Sequence, residues 1–225
     1  DFAAKARGDA NARSSTRDVR DLIVKLKKDG VDALVMDLRS NGGGALTEAT
    51  ELTGLFIDEG PVVQVRNSQG RIEVEADTDP GTVWDGPLVV VVGRASASAT
   101  EIFAGAIQDY GRGLIVGETT FGKGTVQNLV DLDQMANSGE TRFGQLKMTI
   151  AQYFRVSGSS TQHRGVVPDI RFPQTLSPEE YGESSYDNAL PYASIRAARF
   201  SKLGRPGALV PILSARFEQR SQQDR

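Results

Sequence analysis

The feature that most restricts the fold is a repeated order of strand, glycine-bearing turn, helix and strand. The clearer copy starts with the apolar run Leu88–Val92, turns at 93–98, continues as a helical stretch at 99–110 that Gly111 ends, and closes with a short apolar strand at 114–116. A strand that returns to its sheet through a helix runs parallel to the first. The chain is therefore predicted to be an α/β protein with a mainly parallel sheet and covering helices.

A second copy of this order precedes the first. Helices are predicted at 16–28 and from Leu46 to about residue 58, and a strand is predicted between them at 31–38. The strand is nearly apolar throughout, which predicts that both of its faces are covered. Shorter runs typical of strands lie outside the two copies, at 62–66 and 72–75 as a hairpin and at 126–129 and 145–155.

Composition excludes several classes of protein. The 225 residues carry 26 basic and 29 acidic side chains, a net charge of -3, so the overall charge gives no reason to expect nucleic acid binding. The absence of cysteine excludes a disulfide framework, a thiol nucleophile and a thiolate metal site. The longest apolar run, Leu88–Val92, is far shorter than the roughly 20 residues that a transmembrane helix needs. Any chemistry must therefore use hydroxyl, amine, imidazole, amide or carboxylate groups.

The two ends of the chain differ from its middle. The sequence starts at Asp1 in a polar stretch without the apolar segment of a signal peptide, and we expect a processed or truncated piece of a longer protein. From Pro173 the composition shifts to Ser, Glu, Pro and Asn, and residues 194–225 carry seven basic and two acidic side chains. We interpret 1–172 as the core and 173–225 as a polar linker followed by a basic, solvated helical extension.

The turn at 93–98 contains the strongest candidate for a nucleophile. It enters the following helix through Arg-Ala-Ser-Ala-Ser-Ala-Thr-Glu at 94–101. Ser98 would lie beside the free N–H groups and positive dipole end of that helix, which suits a hydroxyl whose attack creates an oxyanion. The alternative is ordinary N-capping by Ser98 or Thr100, since serine and threonine are favoured caps.

A serine nucleophile needs a base, and two side chains are available. His163 is the single histidine and lies in a polar loop, so a Ser-His-Asp triad is one alternative. Lys123, between Gly122 and Gly124, is the other. The pKa of a lysine base must fall by about 3 units from about 10.4, which requires burial. This hypothesis predicts a buried amine, whereas a structural lysine on a glycine turn would be exposed.

Two glycine-containing stretches allow more than one interpretation. The spacing from Gly117 to Lys123 resembles the start of a P-loop, but Gly124 replaces the residue that would bind magnesium and an extended run follows. Nucleotide binding is therefore not favoured. The run Gly42-Gly43-Gly44 is either a tight turn or a source of N–H groups for an oxyanion hole.

Four ordered stretches resemble the successive signatures of the C-terminal processing peptidases, and the resemblance covers nearly the whole chain. Residues 108–112 and 187–191 also resemble the tail-specific proteases of Gram-negative bacteria. Four motifs in order are far more specific than any one of them. The four are Asp-Leu-Arg-Ser-Asn-Gly-Gly-Gly at 37–44, Ser-Ala-Ser-Ala-Thr-Glu at 96–101, Thr-Phe-Gly-Lys-Gly-Thr-Val-Gln at 120–127 and Gly-Val-Val-Pro-Asp-Ile at 165–170.

The resemblance implies a crotonase-like or Clp-protease-like α/β fold and a serine endopeptidase with a Ser-Lys dyad, which needs neither a metal nor an organic cofactor. By position, Ser98 would be the nucleophile, Lys123 the general base and Gln127 the residue that orients the lysine. Because Lys123 and Gln127 are four residues apart, this orienting role favours a turn or bend around Gly124.

The same resemblance places the oxyanion hole on the Ala99 N–H and on the N–H of Gly43 or Gly44. Thr100 stands where the family typically has a further serine.

Three charged residues near these motifs are predicted to be structural. Asp37 and Arg39 flank Leu38 and are expected to pair and hold the glycine-rich loop. Asp109 belongs to a family motif but follows Ser98 by eleven residues, which is about 16 Å along an unbroken helix and too far for direct contact.

The resemblance also implies a class of substrate and a cellular location. Members of the family cut proteins with flexible, apolar C-terminal tails, which bind as an added β-strand, and they work in the periplasm. They carry a PDZ domain and a signal peptide that are not found in this sequence, so we expect the catalytic part of a longer periplasmic protein. The oligomeric state stays open. An alternative function is a catalytically silent binding module, because the interphotoreceptor retinoid-binding protein has repeats of the same fold.

Overall fold

Two four-stranded sheets, one parallel and one antiparallel, organise the chain in the computed structural model. The structure describes residue 9 and residues 11–137, 139, 143–177 and 179–223. Residues 1–8 and 10 of the predicted polar start, residue 178 of the predicted linker and residues 224 and 225 of the predicted extension lie outside this range. In chain order the elements are α1 (Ser15–Lys28), β1 (Leu34–Asp37), α2 (Leu46–Gly54), β2 (Gly60–Asn67), β3 (Ile72–Asp77), β4 (Leu88–Val92), α3 (Ala99–Asp109), β5 (Leu114–Gly117), β6 (Thr125–Asp131), α4 (Leu132–Met135), β7 (Gln145–Arg155), β8 (Ile170–Arg171) and α5 (Val210–Gln223), with 3-10 turns at Glu183–Ser185 and Pro206–Leu209.

The parallel sheet has the strand order β1-β4-β5-β8, and every neighbouring pair is parallel. Its two central strands are joined through α3, as the strand, turn, helix and strand pattern predicts. Alternate residues of β4, from Leu88 to Val92, are buried against the helices because strand side chains alternate between the two faces. The predicted α/β fold with a parallel sheet is confirmed.

The central helix, α3, is buried on every side. All residues from Ala99 to Ile107 are buried, and the helix contributes to two apolar clusters, one against each sheet. Phe103 packs edge-on against Phe56 with ring centroids 5.7 Å apart. Most of these buried residues are apolar, and a helix that is covered on all faces lies inside the protein. This helix therefore fixes the position of whatever its N-terminus carries.

The first strand departs from its prediction. The apolar run at 31–38 predicts coverage on both faces, but β1 is an edge strand and Val35 is 68% exposed. Only the face that carries Leu34 packs against the helices. The helical layer covers one side of the sheet, and the opposite side of β1 has little packed on it within the described chain.

The antiparallel sheet has the order β3-β2-β7-β6, and the sequence predicted its strands but not their assembly into one sheet. The hairpin expected at 62–66 and 72–75 forms as β2 and β3. One face of this sheet packs on α3 through Tyr153 and Val63. Beyond that contact, residues 145–150 of β7 are all exposed, so the β6–β7 hairpin extends past the core.

The C-terminal part packs along the core before it forms α5. Main-chain hydrogen bonds join Ile195 to Gly158 and Ala198 to Val156. Phe172 and Phe217 stack with ring centroids 5.0 Å apart, which places α5 near β8. No helix within the described residues combines the length and the apolar character needed to cross a bilayer.

Candidate active site

Ser98 occupies a strained turn at the N-cap of α3. Its backbone dihedral angles are φ 59° and ψ -118°, in a region that residues other than glycine rarely adopt. Such conformations cost about 1–3 kcal/mol and persist only where the surroundings enforce them. We call residues 93–98 the serine turn. It follows β4 directly, as the sequence predicts.

Ser96 joins this turn to the end of β1. Its hydroxyl is fully buried, donates to the Leu38 carbonyl oxygen at 2.7 Å and accepts from the Gly93 N–H at 3.0 Å. The main-chain N–H of Ala97 donates to the Asn41 carbonyl oxygen at 3.1 Å. The serine turn is therefore bonded to the chain that leaves the neighbouring strand.

The glycine loop, residues 41–44, lies against the serine turn at a distance that only glycine allows. A Cβ atom on Gly43, whose φ is 101°, would lie 2.6 Å from the Ala97 carbonyl oxygen and 2.9 Å from the Ala99 nitrogen. The Gly43 N–H donates to Asn41 Oδ1 at 3.0 Å. Among the described residues, the N–H groups of Gly44 and Ala99 have no hydrogen-bond acceptor. Two free donors therefore border the same turn.

Asn41 and Thr100 hold the glycine loop in place. The Thr100 hydroxyl donates to the Asn41 side-chain oxygen at 2.8 Å and lies 3.0 Å from the Asn41 carbonyl oxygen. A threonine hydroxyl can make the contacts of a serine here, so the departure from the family pattern keeps the hydrogen bond. No role for Asn41 was predicted from the sequence. The only indication there was that Asn41 directly precedes three glycines.

Glu101 is a central residue that the sequence analysis did not assign. Its side chain has no exposed surface, and its carboxylate accepts four hydrogen bonds. One oxygen accepts from the N–H groups of Ser98 at 2.8 Å and Lys123 at 3.0 Å. The other accepts from the Thr120 hydroxyl at 2.5 Å and the Gly122 N–H at 2.8 Å. The signal in the sequence was an acidic residue three places after a serine at a helix start.

The shared carboxylate brings two distant residues together. Because the Ser98 and Lys123 nitrogens bond to one oxygen, they lie within about 6 Å of each other. Burial raises the pKa of Glu101 to about 7, against the four hydrogen bonds that favour its charged form.

Tyr153 makes a second connection between the same residues. Its buried hydroxyl donates to the Lys123 carbonyl oxygen and lies 3.2 Å from the Ser98 carbonyl oxygen. The Thr161 hydroxyl bonds to the same tyrosine at 3.1 Å. Burial, the largest cause, raises the pKa of Tyr153 well above its usual value, so the phenol keeps its proton as a hydrogen-bond donor.

Lys123 lies in the loop 119–124, which we call the lysine loop. It is half-buried, and burial is the main cause that lowers the pKa of its amine. The positive charge of Lys147 lowers this pKa further, whereas Glu183 and Glu101 act in the opposite direction. The amine is thus easier to deprotonate than that of an exposed lysine.

Gln127 lies in β6 and shares a cavity with Lys123. The predicted turn around Gly124 is wrong, because the chain enters β6 at Thr125 and pairs with β7 along its length. Residues 123, 125 and 127 line one cavity, and β6 has a β-bulge between Val126 and Gln127. The Gln127 amide nitrogen donates to the Thr149 hydroxyl at 3.4 Å.

The remaining candidates make structural contacts. The His163 ring bonds to the Leu190 carbonyl oxygen at 2.7 Å. Asp109 binds Arg155 through two hydrogen bonds of 2.6 and 3.0 Å, and both side chains are largely buried. Asp37 and Arg39 form an exposed ion pair of 2.6 Å.

Two cavities border parts of the candidate site. The glycine-loop cavity, about 450 Å³, is bordered by Gly43, Gly44 and Ala99. The lysine-side cavity, about 420 Å³, is bordered by Lys123 and Gln127. Within the described ranges, no three His, Cys, Asp or Glu side chains converge in a way that could hold a metal ion.

Two protein-family models match the chain. The model of peptidase family S41 matches residues 4–172, and the model of the C-terminal domain of tail specific protease matches 176–225. The chain belongs to peptidase family S41. The first match covers most of the sequence, including the serine turn, the glycine loop and the lysine loop.

Relatives in this family are longer than the chain. It is 50% identical over 189 residues to the tail-specific protease of Haemophilus influenzae, which covers 84% of the chain and 27% of that protein. It is 37% identical over 179 residues to the carboxy-terminal-processing protease of Bartonella bacilliformis, covering 79% of the chain and 39% of that protein. The chain therefore spans well under half the length of these S41 relatives.

A solved S41 structure shows the same fold. The photosystem II D1 C-terminal processing protease aligns with a TM-score of 0.61 and 36% identity, over 73% of this chain and 39% of that one.

Proposed function

We propose that the chain is the catalytic part of a serine endopeptidase of the tail-specific, C-terminal processing type, with Ser98 as nucleophile and Lys123 as general base. The observation that carries this proposal is the Glu101 carboxylate, which bonds the main chain of both residues through one oxygen. The strained turn at Ser98 and the lowered pKa of Lys123 support the same assignment.

The reaction would proceed in two halves. Neutral Lys123 takes the proton from the Ser98 hydroxyl as the oxygen attacks the substrate carbonyl carbon. The lysine ammonium then gives that proton to the leaving amine, which breaks the peptide bond and leaves an acyl group on Ser98. Water attacks the acyl group with Lys123 again as the base, releases the acid and restores the hydroxyl. Gln127 would orient the lysine from the shared cavity wall.

The oxyanion would be bound by the N–H groups of Ala99 and Gly44. The family resemblance leaves Gly43 and Gly44 open, and the structure favours Gly44 because the Gly43 N–H is already bonded to Asn41 Oδ1. Two main-chain donors at a helix start suit the charge that develops on the carbonyl oxygen.

The substrates would be proteins with flexible, apolar C-terminal tails, bound as an added strand and cut in the periplasm. This proposal is supported by the family match and by the relatives named tail-specific and carboxy-terminal-processing proteases.

The test is cleavage of an unstructured peptide with an apolar tail. Ser98→Ala and Lys123→Ala should each abolish cleavage. Ser201 and Lys202 are exposed, so Ser201→Ala and Lys202→Ala are the matched controls and should leave cleavage unchanged. Undiminished cleavage by either purified site variant would reject the dyad. Peptide binding without cleavage by the unmodified protein would instead indicate a silent binding module, and loss of activity in His163→Ala would indicate a Ser-His hydrolase.

A further inference from the structure

The lysine loop is covered by a segment that lies beyond the S41 match. Residues 181–190, which we call the docked segment, belong to the part of the chain that matches the C-terminal domain of tail specific protease. The Glu183 N–H donates to the Phe121 carbonyl oxygen at 3.0 Å. The Phe121 ring also packs against the rings of Tyr181 and Tyr186, with centroid distances of 5.4 and 6.4 Å. The loop that carries the proposed base is therefore bound to the C-terminal part.

Arg94 joins the docked segment to the lysine loop from inside the protein. This residue belongs to the serine turn and is 5% exposed. Its guanidinium donates to the Thr120 carbonyl oxygen at 2.7 Å and to the Tyr181 carbonyl oxygen, and its Nη1 lies 3.4 Å from the Thr119 carbonyl oxygen. One side chain thus connects the turn that carries Ser98 with the start of the lysine loop and with the docked segment.

The charge of Arg94 is buried without an ion-pair partner. Among the described residues no carboxylate bonds its guanidinium, and its Nη2 has no hydrogen-bond acceptor. Burial is the main cause that lowers the pKa of this arginine. Because burying an unpaired charge costs free energy, an ion pair is not the reason for an arginine at this position. Its contribution is the planar set of N–H donors, which binds carbonyl oxygens of two segments at once.

Gln162 fixes the other end of the lysine loop. It has no exposed surface, and its amide oxygen accepts from the Gly124 N–H at 2.8 Å. Its amide nitrogen donates to the Leu190 carbonyl oxygen at 2.8 Å and to Glu183 at 3.1 Å, both in the docked segment. Lys123 therefore lies between two buried anchors, and each of them also binds the docked segment.

We propose that Arg94 and Gln162 are positioning residues for the Lys123 amine, and that the docked segment is part of the catalytic unit because it completes both anchors. This inference rests on the proposed function, in which Lys123 is the base. A base must lie within hydrogen-bond reach of the hydroxyl that it deprotonates, so a displacement of the loop by about 1 Å would lower the rate by up to about 10²-fold.

The same anchors keep the amine partly out of water. Burial is the largest cause that lowers the pKa of Lys123, and the charge of Lys147 on β7 lowers it further. Glu183 in the docked segment and Glu101 on α3 act in the opposite direction. Because burial is the largest of these causes, a loosened loop should raise this pKa towards that of a free lysine. The acidic limb of the kcat/KM profile would then move to higher pH, whereas a purely structural contact would lower stability without moving the limb.

The experiment uses three substitutions in the full chain, none of which changes a charge. Arg94→Lys keeps the positive charge and loses the planar set of donors, and Gln162→Met removes the amide. Gly182→Ala leaves both anchors unchanged and displaces the docked segment, because a Cβ atom there would overlap the Arg94 guanidinium, 3.0 Å from its Cζ. Since all charges are kept, a shift of the limb reports the surroundings of the Lys123 amine.

The assay is cleavage of an unstructured peptide with an apolar tail, measured as a function of pH, with circular dichroism to confirm folding. Each variant should lower kcat at least about tenfold and leave KM within about threefold of the wild-type value. Each should also move the acidic limb to higher pH by about 0.5–1 pH unit.

The matched controls are Arg199→Lys, Gln222→Met and Gly207→Ala. Arg199 and Gln222 are exposed, and a Cβ atom on Gly207 has no neighbour within 4 Å, so these variants should leave kcat and the limb unchanged.

A limb that stays in place or moves to lower pH in the folded variants would overturn the inference, as would a loss of stability with kcat unchanged. Gly182→Ala decides the question if Arg94→Lys or Gln162→Met fails to fold, because it leaves both buried side chains in place. Cleavage by Lys123→Ala would instead reject the proposed function.

Discussion

The two sides of the candidate site are built differently. On the serine side, Ser98, the glycine loop and Glu101 are fixed by main-chain contacts close to the parallel sheet and the buried helix α3. On the lysine side, Lys123 is half-buried and its cavity is completed by the β6–β7 hairpin and by residues 183–190. The nucleophile and oxyanion donors thus depend on backbone geometry, whereas the base depends on side chains that come from distant parts of the chain.

The largest effect should come from crowding the serine side. Gly43→Ala would place a methyl group 2.6 Å from the Ala97 carbonyl oxygen at a φ of 101°, so the glycine loop must move away from Ala99. Misplacing an oxyanion donor costs about 10²–10³ in kcat, and we expect a loss of that size.

Gly42→Ala is the control for this prediction, because a Cβ atom there has no neighbour within 4 Å. The peptide cleavage assay, with circular dichroism to confirm folding, measures both variants. Equal activity in the two would show that the serine side tolerates displacement of its loop.

The Glu101 side chain bonds both sides of the site, so replacing it should lower the stability of the protein. In Glu101→Gln the amide nitrogen would face main-chain N–H donors, so one or two of the hydrogen bonds that this side chain accepts are lost and the free energy of unfolding should fall by about 1–3 kcal/mol at pH 5. Urea unfolding measures this.

The difference in the free energy of unfolding between the wild type and Glu101→Gln should become smaller as pH rises. The pKa of Glu101 is about 7 in the folded protein and 4.5 as its usual value, so the folded form holds a proton that the unfolded form has released. The wild type is therefore stabilised at the acidic end and loses this contribution between about pH 4.5 and 7, on the order of 3 kcal/mol, whereas the variant does not. A difference in the free energy of unfolding between the two proteins that stays constant from pH 5 to pH 8 would contradict the raised pKa of Glu101.

The ion pair of Asp109 tests whether this residue is structural. Asp109→Asn weakens two hydrogen bonds to Arg155, and we expect a loss of about 1–3 kcal/mol in the free energy of unfolding. At a temperature where both proteins are folded, kcat should change by less than about tenfold. A greater loss of kcat in a fully folded variant would give Asp109 a role in the reaction.

On the lysine side, charges around Lys123 should shift activity modestly and in opposite directions. Lys147 lowers the pKa of Lys123, so Lys147→Ala should move the acidic limb of the kcat/KM profile to higher pH. Glu183 raises that pKa, so Glu183→Gln should move the limb to lower pH. Each change should alter kcat/KM at pH 7 by less than about tenfold. Shifts of the same sign in both variants would exclude Lys123 as the titrating base.

The smallest effect is expected at the exposed ion pair. Asp37→Ala removes the partner of Arg39 in a pair whose side chains are both about half exposed, and such pairs contribute little to stability. The melting temperature and kcat/KM should both stay close to the wild-type values. A large loss of activity would mean that this pair positions the glycine loop.

Much of the serine side could be read in the sequence. The apolar run of β4, the small residues of the serine turn and the apolar α3 follow one another without interruption, and the structure places them as predicted. Local patterns of this kind set dihedral preferences and the buried face of each element. The error at 31–38 arose because an apolar run shows that a strand is partly buried and does not show whether it lies at the edge.

The lysine side was harder to predict from the sequence because its contacts join residues that are far apart along the chain. The orienting role of Gln127 led to the expectation of a turn around Gly124, since a spacing of four residues does not distinguish a turn from a bulged strand without the partner strand β7. Glu101, Tyr153 and Gln162 each gained a role only through bonds to other segments.

The amino-acid order by itself determined the elements, the parallel sheet and the place of Ser98 at the head of a buried helix, because these follow from periodicity and glycine positions over a few residues. Only the tertiary structure decided how close Lys123 comes to that serine and that residues 183–190 border its cavity. Those arrangements depend on hydrogen bonds to buried side chains, such as Glu101 to Lys123 and Gln162 to Leu190, whose partners are 22 and 28 residues away. Hydrogen bonds of that range form when elements pack, and no local pattern encodes them.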